Sequence, residues 1–104
     1  MKTKQYNESF NKINYSAHSS MIYQVDDYGV QSKFKFTYEH GNCFERFKIE
    51  QYDGLKLNFI ANIEDLNPKR LSCSAYIMDE IETKNRVAEL NDKARKYVET
   101  LIKM

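Results

Sequence analysis

Few residues in this chain have the chemistry to ligate a metal or attack a substrate: His18, His40, Cys43 and Cys73. His40 and Cys43 are separated by two residues, a gap that metal sites use, and a thiolate at Cys43 could take His40 as its base. A zinc site would want a second close pair, and His18 and Cys73 are isolated. No nucleophile elbow or oxyanion loop surrounds Cys43. The three glycines, Gly29, Gly41 and Gly54, fall in predicted turns rather than in a phosphate-cradling loop. Asp26-Asp27 and Glu64-Asp65 sit at predicted strand ends, where charged turn residues are the simpler explanation. A turn histidine and two reduced thiols account for the set. No catalytic residue, metal site or cofactor is expected.

The elements that position side chains are plainer. Phe34, Phe36 and Tyr38 share one parity, and so do Leu55, Leu57, Phe59, Ala61 and Ile63, the period-2 signature of strands with one buried face. Turn signals at Asp26–Gly29, Glu39–Asn42 and Gln51–Gly54 supply the positive φ that tight hairpins need. They delimit strands at 21–26, 31–39, 43–51 and 55–63, spaced as in an antiparallel meander. Asn67-Pro68-Lys69 breaks the chain, and the alternation of Leu71, Cys73, Ala75 and Ile77 predicts a fifth strand at 70–77.

From Asp79 to Ile102 there is no Gly or Pro. Val87, Leu90, Ala94, Tyr97, Val98 and Leu101 form one helical stripe. Asp79 with Glu82 resembles a capping box. Acids crowd the start of this segment and bases its end, as the macrodipole prefers. Glu80–Lys84, Glu82–Arg86, Glu89–Lys93 and Glu99–Lys103 are spaced for pairing on a solvated face. Nearer the N-terminus, Tyr6, Phe10, Ile13 and Ala17 share a helical stripe, so a short helix or a partly ordered arm is expected within 1–20. The expected fold is α+β: an antiparallel meander of four to five strands over 21–77, with a long helix at 79–103 on its apolar face. The other face is left open.

Parity then sorts that open face. With Phe34, Phe36, Tyr38, Phe47 and Ile49 inward, Lys33, Lys35, Arg46, Lys48 and Lys56 turn outward. Phe44, Tyr52, Tyr76 and Ile60 accompany them, as do Glu39, Glu50 and Glu64. The same parity turns Asn58 and Asn62 outward and Leu57 and Phe59 inward. The candidate binding set is Lys33, Lys35, Phe44, Arg46, Lys48, Tyr52, Lys56 and Tyr76. Bases interleaved with aromatics suit single-stranded nucleic acid, which asks for stacking platforms and backbone neutralisation. A meander followed by a helix resembles, in layout alone, the Whirly and Pur-alpha type single-strand binders, though none of their motifs is present. Tyr, Phe, Met and Arg also suit a protein interface, and the sheet edges could add a strand to a partner.

The bulk numbers favour the protein partner. Sixteen basic and fifteen acidic residues give a net charge of +1, whereas a dedicated polyanion binder is usually strongly basic. With 104 residues, 41% apolar and 30% charged, one globular domain is expected. No apolar run reaches the roughly 18 residues a membrane span needs. The segment MKTKQYNESFNK has no apolar stretch behind its lysines, so a cytoplasmic setting is expected. Lys, Asn, Ile, Tyr and Phe make up 43 of the 104 residues. Their AT-rich codons fit a low-GC bacterium, its phage or a plasmid. The expected function is thus a small non-enzymatic binding protein, an inhibitor or modulator acting on a protein partner through the sheet face or edge. Single-stranded DNA or RNA binding is the alternative, and homodimer formation through the same face is a third.

Overall fold

A computed structural model of the chain describes residues 1–14, 16–41, 44–62 and 79–103. Five strands run in order along one antiparallel sheet: β1 (Lys2–Ile13), β2 (Ser16–Asp27), β3 (Val30–His40), β4 (Glu45–Asp53) and β5 (Lys56–Asn62). One helix, α1 (Glu80–Lys103), lies on one face. The architecture is the α+β meander with a C-terminal helix that the hydrophobic pattern predicts. Its strand inventory differs. The predicted strand at 70–77 lies outside the described residues, and β1 occupies the segment expected to hold a short helix.

Two one-residue irregularities explain where the sequence pattern misleads. Between Tyr6 and Ser9 the β1–β2 register shifts, so that Asn7 and Glu8 together oppose Met21. Asn7 sits at φ 53, a conformation that asparagine tolerates better than most residues. The extra residue turns Tyr6 to one face and Phe10 to the other. Apolar residues at 6, 10 and 13 therefore imitate a helical stripe while lying on a strand. The second shift lies between β4 and β5. Ile49 pairs with Ala61 but Glu50 pairs with Phe59, which leaves Ile60 as the extra residue. Side chains before the bulge change face. Ile60 packs against the core, whereas Phe59 is 60% exposed. Leu57 and Phe59 thus belong to the open face, and Lys56, Asn58 and Ile60 do not. Ala61 and Asn62, beyond the bulge, keep the predicted facing.

The hairpins follow from their turn residues. Tyr28 and Gly29, at φ 51 and 82, make the two-residue loop between Asp27 and Val30, with both central residues in the left-handed region that such tight turns demand. Gly54, at φ 64, opens the loop between Asp53 and Lys56.

The core forms where the inner rows of β2, β3 and β4 meet the helix. Met21, Tyr23, Val25, Phe34, Phe36, Tyr38, Phe47 and Ile49 pack against Val87, Leu90, Ala94 and Val98. Tyr97 and Leu101, at the margin of the stripe, remain exposed. Helix α1 begins as its capping signature requires: Asp79 Oδ1 accepts the Glu82 amide at 2.7 Å. The predicted outer-face pairs Glu80–Lys84 and Glu89–Lys93 form at 3.7 and 3.9 Å.

Arg86 and Glu99 bond across to the sheet instead. The Arg86 guanidinium donates to both oxygens of Glu45, from Nε at 3.1 Å and Nη2 at 2.9 Å. The Tyr38 hydroxyl donates to the same carboxylate at 2.8 Å. Tyr23 donates to Glu99 Oε1 at 2.7 Å. Burial pushes the Tyr23 phenol from its ordinary 10.0 up to about 12, and the neighbouring Glu99 carboxylate reinforces the shift.

Three stability outcomes follow from this packing. Ile60→Ala should cost about 1–2 kcal/mol and Phe59→Ala less than about 0.5, the reverse of simple alternation, as read from denaturant midpoints. The Glu45 side chain is 0% exposed, so Arg86→Ala strands a buried carboxylate and should cost about 3 kcal/mol. The double variant Glu45→Leu with Arg86→Met should cost less than that single change. Because the fold favours the neutral Tyr23 phenol, the stability it contributes is complete below the ordinary pKa of 10.0 and is lost as pH rises toward about 12. Unfolding titrations across that window should fall more steeply for the wild type than for Tyr23→Phe.

Candidate functional site

Helix α1 covers the inner face of the sheet, and parity with the two bulges defines the outer one. Across the strands, outer residues line up in rows. Lys4 pairs with Gln24, which pairs with Lys33. The next row runs Tyr6, Ile22, Lys35, Glu50, Phe59. The row after it runs Ser9, Ser20, Thr37, Lys48, Asn62. The last runs Asn11, His18, Glu39, Arg46.

The predicted binding residues divide among these rows. Lys33 and Lys35 stand on the outer face of β3, and Tyr52, half-buried, pairs with Leu57 at the β4–β5 end. Arg46 and Lys48 are on the same face but already have acidic partners: Arg46 Nε lies 3.1 Å from Glu39, and Lys48 Nζ lies 3.7 Å from Glu50. Phe44 precedes β4 and carries the Arg46 guanidinium 5.3 Å from its ring centroid, a cation–π contact. Gly41 donates its amide to the Phe44 carbonyl at 3.0 Å, and a Cβ at Gly41 would collide with the Phe44 ring. Lys56 stands off the face, opposite Asp53 at the hairpin. Tyr76 lies outside the described residues, as do Cys43, Cys73 and Glu64.

Sequence reasoning missed β1, because a short helix or partly ordered arm was expected within 1–20, and it assigned no facing to the predicted strand at 21–26. β1 and β2 add Lys2, Lys4, Tyr6, Ile22 and Gln24 to the face. The signal that could have found them was Asn at positions 7 and 14, both now at positive φ, one in the bulge and one in the hairpin turn. Gln24 is 8% exposed. Its carbonyl accepts the Tyr6 hydroxyl at 3.4 Å, and its amide donates to both Asp26 oxygens at 3.4 Å. Lys4 Nζ sits 4.9 Å over the Tyr6 ring.

The face therefore has two kinds of charge. At the Arg46 end each base is matched to an acid within the sheet. At the Lys33 end, Lys4, Lys33 and Lys35 carry no ion pair among the described residues, while Asp26 is turned to Gln24 and stands opposite Lys2 in register. Beyond β3, the bulge delivers an apolar strip of Tyr52, Leu57 and Phe59.

The two histidines do not meet. His18 is on the outer face and His40 is buried on the inner one, its Nδ1 3.2 Å from the Gly41 carbonyl and its ring edge-on to Tyr38. Among the described residues no group of three or more His, Cys, Asp or Glu side chains could hold a metal ion, and no helix is long and apolar enough to cross a membrane. No protein-family model matches the chain, and comparison with curated proteins and with solved structures finds nothing similar to it.

Proposed function

We propose that this chain is a small non-enzymatic binding protein that engages a protein partner through the outer face of its sheet. The observation that carries the reading is the bulge at Ile60. It turns Leu57 and Phe59 away from the core and sets them beside Tyr52. An exposed phenylalanine that contributes nothing to the core, next to a half-buried tyrosine and leucine, is the composition of an interface anchor.

Charge supports the same reading. Two of the face's bases are matched to Glu39 and Glu50, which favours a polypeptide over a polyanion needing every cation. The edge at β1 is a poorer docking place than the face. Its bulge and its Lys2, Lys4 and Lys12 are the devices that discourage strand addition. A cytoplasmic modulator of the kind a phage or mobile element encodes suits a small chain of AT-rich composition.

The test is capture from nuclease-treated and untreated lysate of the source cells in parallel. One dominant protein, retained after nuclease and lost with Phe59→Ala, is the expected outcome. The variant's melting temperature should stay within a few degrees of wild type. Capture that disappears with nuclease would instead identify a nucleic-acid binder. Recovery of the chain alone, as a dimer sensitive to Phe59→Ala, would point to self-association.

A further inference from the structure

We infer that the outer face receives an acidic segment of the partner, with carboxylates over Lys4, Lys33 and Lys35 and an apolar side chain on Tyr52, Leu57 and Phe59. This rests on the protein-partner reading above and adds the chemistry of what binds. Strands lie about 4.8 Å apart and residues i and i+2 about 7 Å apart. Lys4 and Lys33, flanking Gln24, are therefore about 10 Å apart across the sheet, and Lys35 is one step along β3 from Lys33. The Lys33–Lys35 edge matches the spacing of carboxylates on alternate residues of an extended peptide, and Lys4 lies to one side within reach of a third.

The bed is held in place before anything binds. Gln24 ties Tyr6 and Asp26 together beneath the lysines. That holds the Asp26 carboxylate to Gln24, and Tyr6 in turn seats Lys4. Among the described residues these three ammonium groups form no ion pair, with Lys35 opposite Glu50 in register and Asp26 held at Gln24. Complementary charge there would speed encounter and select against basic partners.

A phosphate chain fits less well. The row joining the lysines to the apolar strip runs from Lys35 through Glu50 to Phe59. A backbone charged at every step would meet the Lys48–Glu50 pair midway, where no cation is left to neutralise it, whereas a polypeptide can present an uncharged residue at that point.

The experiment uses the full chain and three labelled probes: a short peptide with an Asp/Glu half followed by Phe-Leu, its Asn/Gln counterpart, and an oligodeoxythymidine of similar length. The acidic peptide should bind about tenfold tighter than the amide one or more, and lose that advantage in high salt. The triple variant Lys4→Glu, Lys33→Glu, Lys35→Glu should abolish its binding. Lys33→Gln with Lys35→Gln should weaken it about five- to tenfold if the two ammonium contacts are lost, with melting unchanged. Equal affinity for both peptides would overturn the acidic assignment while leaving the face reading intact. Tighter binding of the oligonucleotide would overturn both. Binding of neither peptide would overturn the inference, and the Phe59→Ala capture result then decides the face reading separately.

Discussion

A pleated strand offers its side chains to two faces in strict alternation, and among the described residues α1 covers only one face of this sheet. Everything else in the molecule depends on that parity. The row of Phe34, Phe36 and Tyr38 meets α1, and the row of Lys33, Lys35 and Thr37 lies on the opposite face. The two bulges are the only places in the described sheet where alternation is interrupted, at Asn7–Glu8 and at Ile60. Each redistributes residues between core and surface without altering the hydrogen-bonded order of the strands. At Ile60 the exchange keeps an aliphatic side chain in the core and places an aromatic one outside it.

The central strands were legible in the sequence because burial there is one-sided and regular. In β3 and β4 the apolar residues sit at every second position, and the observed inward row is the expected one. The helix was legible for the same kind of reason: a long segment free of Gly and Pro, one stripe, and a capping residue that does what its type predicts. The edge strands were not. On β1 only Tyr6, Phe10 and Lys12 are partly covered, so there is little burial for a pattern to record. The bulge then places Tyr6 and Phe10, four apart, on opposite faces. On β5 Leu57, Phe59 and Ala61 alternate, but Ile60 interrupts the pattern, and the bulge there reverses the facing of everything before it. The run Phe59-Ile60-Ala61 is the local mark of that shift, and pairing with β4 decides which residue is the extra one. The candidate face was accordingly legible in its β3 and β4 columns, misread on β5, and missing its β1 and β2 columns altogether.

The helix poses a separate problem of placement. Val87, Leu90, Ala94 and Val98 are small to medium aliphatic residues, and a stripe of that kind can slide along an apolar sheet with modest loss. Two polar contacts break the degeneracy. Arg86 is bound to Glu45 on β4, and Glu99 to Tyr23 on β2. They lie thirteen residues apart on α1, roughly 20 Å at the helical rise, so together they define both position and rotation. The Glu45 contact is the more demanding, because its carboxylate is fully enclosed and takes donors from Tyr38 and Arg86 at once. A buried ion pair of this sort adds little net stability over an apolar replacement; here it joins the first half of α1 to β4. Lys84 over the Phe10 ring and Arg95 bonded to Gln5 extend the same control to β1.

The hairpins and the strand pairing hold the outer rows in a set register, so that side chains four strands apart keep their spacing. The lysines on β1 and β3, which form no ion pair among the described residues, and the apolar strip on β4 and β5 are separated by Glu50, whose charge is occupied by Lys48. Neither half alone makes a strong site: exposed lysines are well hydrated, and three apolar side chains are a small patch. In the proposed reading their value to a ligand lies in being presented together at constant distance, because a ligand that spans both gains the second contact without a second loss of translational freedom.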